Sequence, residues 1–149
     1  MPVAERRFID SIIELRSLCR FEEEIGEECG LAPREVSCLC VLVPGEEVTA
    51  GELAALLRLS ASRASRLITS LRGRGVVTET FDARDRRAVS IRLTQAGERL
   101  LKKVELKKEE CERRLLSTFN REQLKAVREG LATLSLAFQG GLREGNRDS

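Results

Sequence analysis

The chain has 149 residues, 42% hydrophobic and 34% charged, with a formal net charge of +2, five cysteines and no histidine. That length suits one domain with a real core, while the missing histidine removes the usual general base, the Ser-His and Cys-His pairs and the commonest zinc ligand, so neither an enzyme nor a cofactor is expected. Five phenylalanines with no tyrosine or tryptophan are too few for base-stacking platforms, which argues against a single-strand or RNA reader, and without a membrane-length apolar run or a signal segment a cytoplasmic protein is expected.

Taken in order, residues 4–29 carry Phe8, Ile12, Leu15, Leu18, Phe21, Ile25 and Cys29 at helical spacing, with Gly30 as a stop; the pattern predicts one long helix. Ile9, Ile13 and Cys19 widen its stripe beyond what one small core can cover, so part of it is expected to pack on a second subunit. The acids at Glu22, Glu23, Glu24, Glu27 and Glu28 splay around that helix and read as a solvated face. Pro33 opens a second helix through Val36, Leu39, Cys40, Leu42 and Val43, ended by Pro44-Gly45. Thr49-Ala50-Gly51-Glu52 is a capping box before a short helix with Leu53, Leu56 and Leu57.

Arg58-Leu59-Ser60 is then the turn into the next helix, with Ser60 as its N-cap. Ala64, Leu67, Ile68 and Leu71 fall on one face of that helix, and Ser62, Arg63, Ser65, Arg66 and Thr69 on the other. Small hydroxyls interleaved with guanidinium forks suit a helix lying in a DNA major groove, where arginine reads guanine edges; by itself the pattern also fits an ordinary amphipathic surface helix. The wider charge distribution favours the first reading. Residues 58–92 hold nine arginines against three acids, a net +6 on a chain of +2, which is the electrostatic footprint of a polyanion partner.

Beyond the glycines at 73 and 75, Val76–Phe81 and Ala88–Leu93 read as strands around a polar loop, Asp82-Ala83-Arg84-Asp85-Arg86-Arg87. A helix with DNA-facing chemistry, a glycine turn and a hairpin tipped by arginines make a winged helix-turn-helix, whose tip can reach phosphates or an adjacent minor groove. Thr94 caps a helix to about Ser117 with a narrow seam of Leu100, Leu101, Val104, Cys111 and Leu115. Asn120 with Gln123 caps a last helix marked by Leu124, Val127, Leu131, Leu134 and Phe138. Gly140-Gly141 is expected to end it, leaving a disordered tail over 140–149.

The run Leu71-x-x-x-Gly75-Val76-Val77, then Asp82-x-x-Asp85-Arg86-Arg87, then Val89-x-Ile91-x-Leu93-Thr94-x-x-Gly97 resembles the signature of the MarR family of transcriptional regulators, strongly over about residues 31–101. The resemblance implies a mainly α protein with a small β-hairpin wing, in which 31–94 form the winged helix-turn-helix and 4–30 and 95–139 the dimerisation helices. It also implies a homodimer on a pseudo-palindromic double-stranded operator, usually a repressor released by a small ligand or by oxidation. Expected DNA contacts are Ser60, Ser62, Arg63, Ser65, Arg66 and Thr69 on the helix, and Arg84, Asp85, Arg86 and Arg87 at the wing. Arg87 matches the wing arginine that enters the minor groove in the family, with Asp85 orienting it.

The cysteines at 19, 29, 38, 40 and 111 are not a disulfide scaffold in a cytoplasmic protein. Most read as small core hydrophobes. Cys38, Cys29 and Cys19 are carried as candidate redox- or metal-responsive thiols, although Cys38 and Cys40 point to nearly opposite sides of a helix and cannot share an ion, so no metal site is assigned. Cys38 lies off the apolar stripe, one turn after Arg34, and is expected to react before Cys29, which has Glu27 and Glu28 and a helix C-terminus around it. The family's peroxide-sensing branch offers no transfer: its reactive thiol falls at the positions of Arg6 to Phe8 and works with tyrosines, and this chain has neither. The alternative to a DNA-binding regulator is a winged-helix module that docks a protein partner, its arginines serving acidic surfaces on that partner.

Overall fold

The computed structural model describes residues 6–81 and 89–144, with side chains through residue 140. The elements run α1 (Phe8–Leu18), α2 (Phe21–Cys29), α3 (Pro33–Val41), β1 (Val48–Thr49), α4 (Ala50–Leu57), α5 (Ala61–Gly73), β2 (Val77–Phe81), β3 (Val89–Leu93), α6 (Gln95–Leu116) and α7 (Arg121–Glu144). Two compact units divide the chain, residues 1–109 and 110–149.

The first unit holds the core. Leu39 of α3, Leu53 of α4, Leu71 of α5, Ile91 of β3 and Val104 of α6 are all fully enclosed. The apolar face of α5 is buried as its spacing requires, through Ala64, Leu67, Ile68 and Leu71. The sheet is antiparallel in the order β1-β3-β2, and the hairpin register pairs Val77 with Leu93 and Phe81 with Val89. β1 adds a third strand by pairing Val48 with Ile91 and Thr49 with Ser90. Two residues are too few to leave an alternating pattern, so the sequence shows only the capping box that follows.

Two helix boundaries differ from expectation. The helix predicted over 4–29 is broken: Cys19 is extended, with φ −78° and ψ 105°, and α2 restarts at Phe21. Apolar spacing continues across the break, but Glu22, Glu23 and Glu24 occupy the first turn of α2, where carboxylates are stabilised by the positive end of a helix dipole. Arg20 Nε reaches Glu23 Oε2 at 2.6 Å across the restart. At the other end α7 does not stop at Gly140-Gly141 but continues to Glu144. Gly in a helix costs only about 1 kcal/mol relative to Ala, which a long helix absorbs; residues 145–149 of the expected tail lie outside the described residues.

In the second unit α7 starts from the reciprocal cap, Asn120 N–H donating to Gln123 Oε1 at 3.0 Å and Gln123 N–H to Asn120 Oδ1 at 2.8 Å. Its apolar stripe is only partly covered: Val127, Leu131 and Phe138 are exposed, as is Leu136 beside them, while Leu124 and Leu134 are half-buried. In the first unit α1 buries nothing, and Phe8 and Leu18 are each 72% exposed.

Candidate nucleic-acid interface

The turn that sets α5 against α4 is built from side-chain caps and backbone bonds together. Thr49 caps α4 reciprocally, its Oγ1 accepting from Glu52 N–H at 3.1 Å while Glu52 Oε2 accepts from Thr49 N–H at 2.9 Å. The helix closes with Leu59 N–H on Ala54 O and Arg58 N–H on Ala55 O, the paired bonds of a Schellman ending. Arg58 takes the left-handed position at φ 54°, the one non-glycine to do so among the described residues. Ser60 then caps α5 by accepting from Arg63 N–H at 3.3 Å.

From that start, α5 presents Ser62, Arg63, Ser65, Arg66 and Thr69 to solvent on one face. The structure therefore brings together the six helix residues expected from the sequence, Ser60 included. Arg84, Asp85, Arg86 and Arg87 fall outside the described residues.

The arginines of this region sort into two groups. Arg72 Nη1 is held by Glu79 Oε1 of β2 at 2.6 Å, and Arg74 Nε by Glu35 Oε2 of α3 at 3.0 Å; Arg74 Nη1 also donates to Gly30 O at 2.5 Å. These two fasten the C-terminal end of α5 to its neighbours. Arg63 and Arg66 form no ion pair among the described residues. Charge held by an internal carboxylate is spent on the fold, whereas charge left in solvent is open to an external anion.

Glu35 is the positioning residue that sequence reading missed. It is 3% exposed, and both its oxygens are engaged: Oε1 takes Ala32 N–H at 2.9 Å, and Oε2 takes Ser70 Oγ at 3.2 Å as well as Arg74. It thus starts α3 and pins α5 at once. Glu three residues beyond a helix start was its signal in the sequence, but Ala32 has no side chain to complete the box.

A second clamp explains the Leu-Thr-x-x-Gly run. Thr94 Oγ1 donates to Gly75 O at 2.6 Å and accepts from Gly97 N–H at 3.0 Å, and Thr94 N–H reaches Val76 O at 3.1 Å. Gly97 packs so closely that a Cβ there would overlap the Val76 carbonyl oxygen. The first turn of α6 is thereby locked to the glycine turn that ends α5.

The thiol expectations change. Cys38 is fully buried, because α3 is packed by α2, α4 and α5, and a helix covered on several sides buries residues beyond its main stripe. Its thiol is pushed up to about 12, by burial first, then by the Glu35 carboxylate and Cys40. The expectation that Cys38 is the accessible, activated thiol is therefore corrected. Cys29 is half-buried and Cys19 exposed. Brief alkylation of the folded protein at neutral pH should modify Cys19 first and leave Cys38 intact, as read by peptide mass mapping; early labelling of Cys38 would contradict this packing. Since the folded state holds the Cys38 proton more tightly than the ordinary value of 9.0, its contribution to stability is whole below that pH. It then falls, by up to about 1.4 kcal/mol per unit, as pH rises toward 12.

Residues 30–88 match the MarR family. The HTH-type transcriptional regulator YsmB of Bacillus subtilis is 29% identical over 111 residues, spanning 74% of this chain and 76% of YsmB. Among solved structures the fold is similar to S. aureus MepR in its DNA complex, with TM-score 0.77 and 18% identity over 89% of this chain and 99% of that one. Apo MarR from E. coli aligns with TM-score 0.72 and 17% identity over 87% and 98% of the two chains. The matched stretch covers the helix-turn-helix and β2 just described; over it the chain is similar to the MarR family, and its fold is that of the solved MarR and MepR structures.

Proposed function

We propose that the protein is a sequence-specific double-stranded DNA-binding transcriptional regulator, acting as a homodimer on a pseudo-palindromic operator and released by a small-molecule effector. The observation that carries this reading is the outward face of α5, where Arg63 and Arg66 stand between short hydroxyl side chains without a counter-ion among the described residues. Short side chains let the helix backbone approach base edges, and an unspent guanidinium supplies the bidentate donor that guanine takes. MepR, whose fold is similar, was crystallised with DNA. The wing arginines, Arg84, Arg86 and Arg87, belong to the same reading as contacts to phosphate or minor groove, with Asp85 orienting Arg87. Selecting bound sequences from a pool of random duplexes is the test. An inverted repeat with half-sites about one helical turn apart supports the proposal; a pool with no enrichment opposes it.

The dimer is supported by what each unit leaves uncovered. Phe8, Ile9, Ile13, Leu15 and Leu18 in α1, and Leu131, Leu136 and Phe138 in α7, are exposed large hydrophobics, and apolar stripes of this size on terminal helices call for a partner surface. Leu131 is 52% exposed in the single chain, so a monomer would tolerate Leu131→Glu. In a dimer the same change loses about 2 kcal/mol of apolar burial per subunit and adds a desolvated charge. Sedimentation should show a wild-type dimer and a dissociated variant at micromolar concentration; a monomeric wild type would oppose the dimer.

For the effector, a hollow of about 460 Å³ beside α6 is lined by Pro44, Leu101 and Leu106 with Glu98, Lys102, Glu105 and Glu109, a size in the range of small-ligand sites. With Cys38 enclosed, the reading takes a ligand rather than a thiol as the signal.

A further inference from the structure

The sequence places candidate DNA contacts only on α5 and the wing, yet the cleft beside α5 carries another cation. It has a volume of about 410 Å³ and is lined by Arg34 and Glu35 from α3 and by Arg63, Arg66 and Ser70 from α5. Three arginines from helices far apart in sequence thus line one concavity. Arg34 is exposed and, like Arg63 and Arg66, forms no ion pair among the described residues. The one carboxylate in the lining, Glu35, is buried and already engaged by Arg74, Ser70 and Ala32 N–H. The open charge of the cleft is therefore positive, with no ion pair among the described residues to balance it. The adjacent amide at the start of α3 is already taken by Glu35, so attraction for an anion comes from the guanidinium groups and not from the helix end.

Resting on the DNA-binding reading above, we propose that this cleft seats a DNA backbone phosphate and that Arg34 is its sequence-independent anchor. When α5 lies in a groove, an arginine on the neighbouring helix stands at the groove's flank, where the phosphodiester chain runs. Contacts there fix register and orientation without reading bases. The planar guanidinium fork can meet two phosphate oxygens at once. Arg34 would thus hold the duplex against α5 while Arg63 and Arg66 read it.

The test measures binding of the full-length protein to a selected operator duplex and to an unrelated duplex over a range of salt, for the wild type, Arg34→Gln, Arg34→Lys and Arg66→Gln. Arg34→Gln should weaken both duplexes by the same several-fold factor and make the log–log salt slope shallower by about one. Arg34→Lys, keeping the charge, should retain the slope. Arg66→Gln should instead fall mainly on the selected duplex. Unchanged affinity and slope in Arg34→Gln, with the wild type binding normally, would overturn the anchor and leave the DNA reading standing. Loss confined to the selected duplex would overturn its sequence-independent role. Failure of the wild type to bind either duplex would remove the reading and the anchor together.

Discussion

Replacing Arg63 and Arg66 together by glutamine should lower affinity for the preferred duplex by roughly 30- to 20,000-fold, from two base-edge contacts of about 1–3 kcal/mol each. Both side chains are exposed and outside the internal ion pairs, so unfolding of the variant should match wild type to within about 0.5 kcal/mol. The pair Arg72 and Arg74 provides the contrast. Their guanidinium groups are held by Glu79 and the buried Glu35, and substituting them should first cost stability. Removing Arg74 strands a carboxylate that is 3% exposed, a loss of about 1–3 kcal/mol. A double variant at Arg63 and Arg66 that binds as tightly as wild type would place recognition elsewhere.

The largest effect on stability is expected at Gly97. Alanine ordinarily improves a helix over glycine by about 1 kcal/mol, but here the added methyl would overlap the Val76 carbonyl oxygen and come within 3.0 Å of its carbon and 3.1 Å of Leu93 Cδ2. That carbonyl is itself held by Thr94 N–H at 3.1 Å and Thr94 Oγ1 at 3.2 Å, so it cannot move aside without breaking the clamp behind α5. Gly97→Ala should therefore destabilise by about 3 kcal/mol or more, read as a lower denaturation midpoint with the slope retained. Gly51, in the first turn of α4, has nothing within 4 Å of an added Cβ, and Gly51→Ala should be neutral or slightly stabilising. A neutral Gly97→Ala would contradict the close approach.

What could be read from the chain follows the range of the interactions involved. Capping at Thr49, Ser60 and Asn120 depends on residues three apart, and the two-faced pattern of α5 on spacings of three and four; both appear in the structure as expected. Glu35, by contrast, gains its role from Arg74, which lies far along the chain. Cys38 sits on a face that looks peripheral by spacing, and only the packing of several helices on α3 shows it to be interior. The break at Cys19 was hidden because apolar periodicity runs straight through it, although three carboxylates opening a new helix carried the opposing signal. Arg34 is a surface cation in the sequence, and its juxtaposition with Arg63 and Arg66 exists only once α3 lies beside α5.

DNA recognition is tested most directly by equilibrium binding of the full-length protein to a selected operator duplex and to an unrelated duplex, each followed from about 50 to 200 mM salt. The expected result is steep salt dependence on both, with the operator bound at least about a thousandfold more tightly. Weak, salt-insensitive binding without preference between the two would contradict it and leave a winged-helix module whose arginines serve a protein partner.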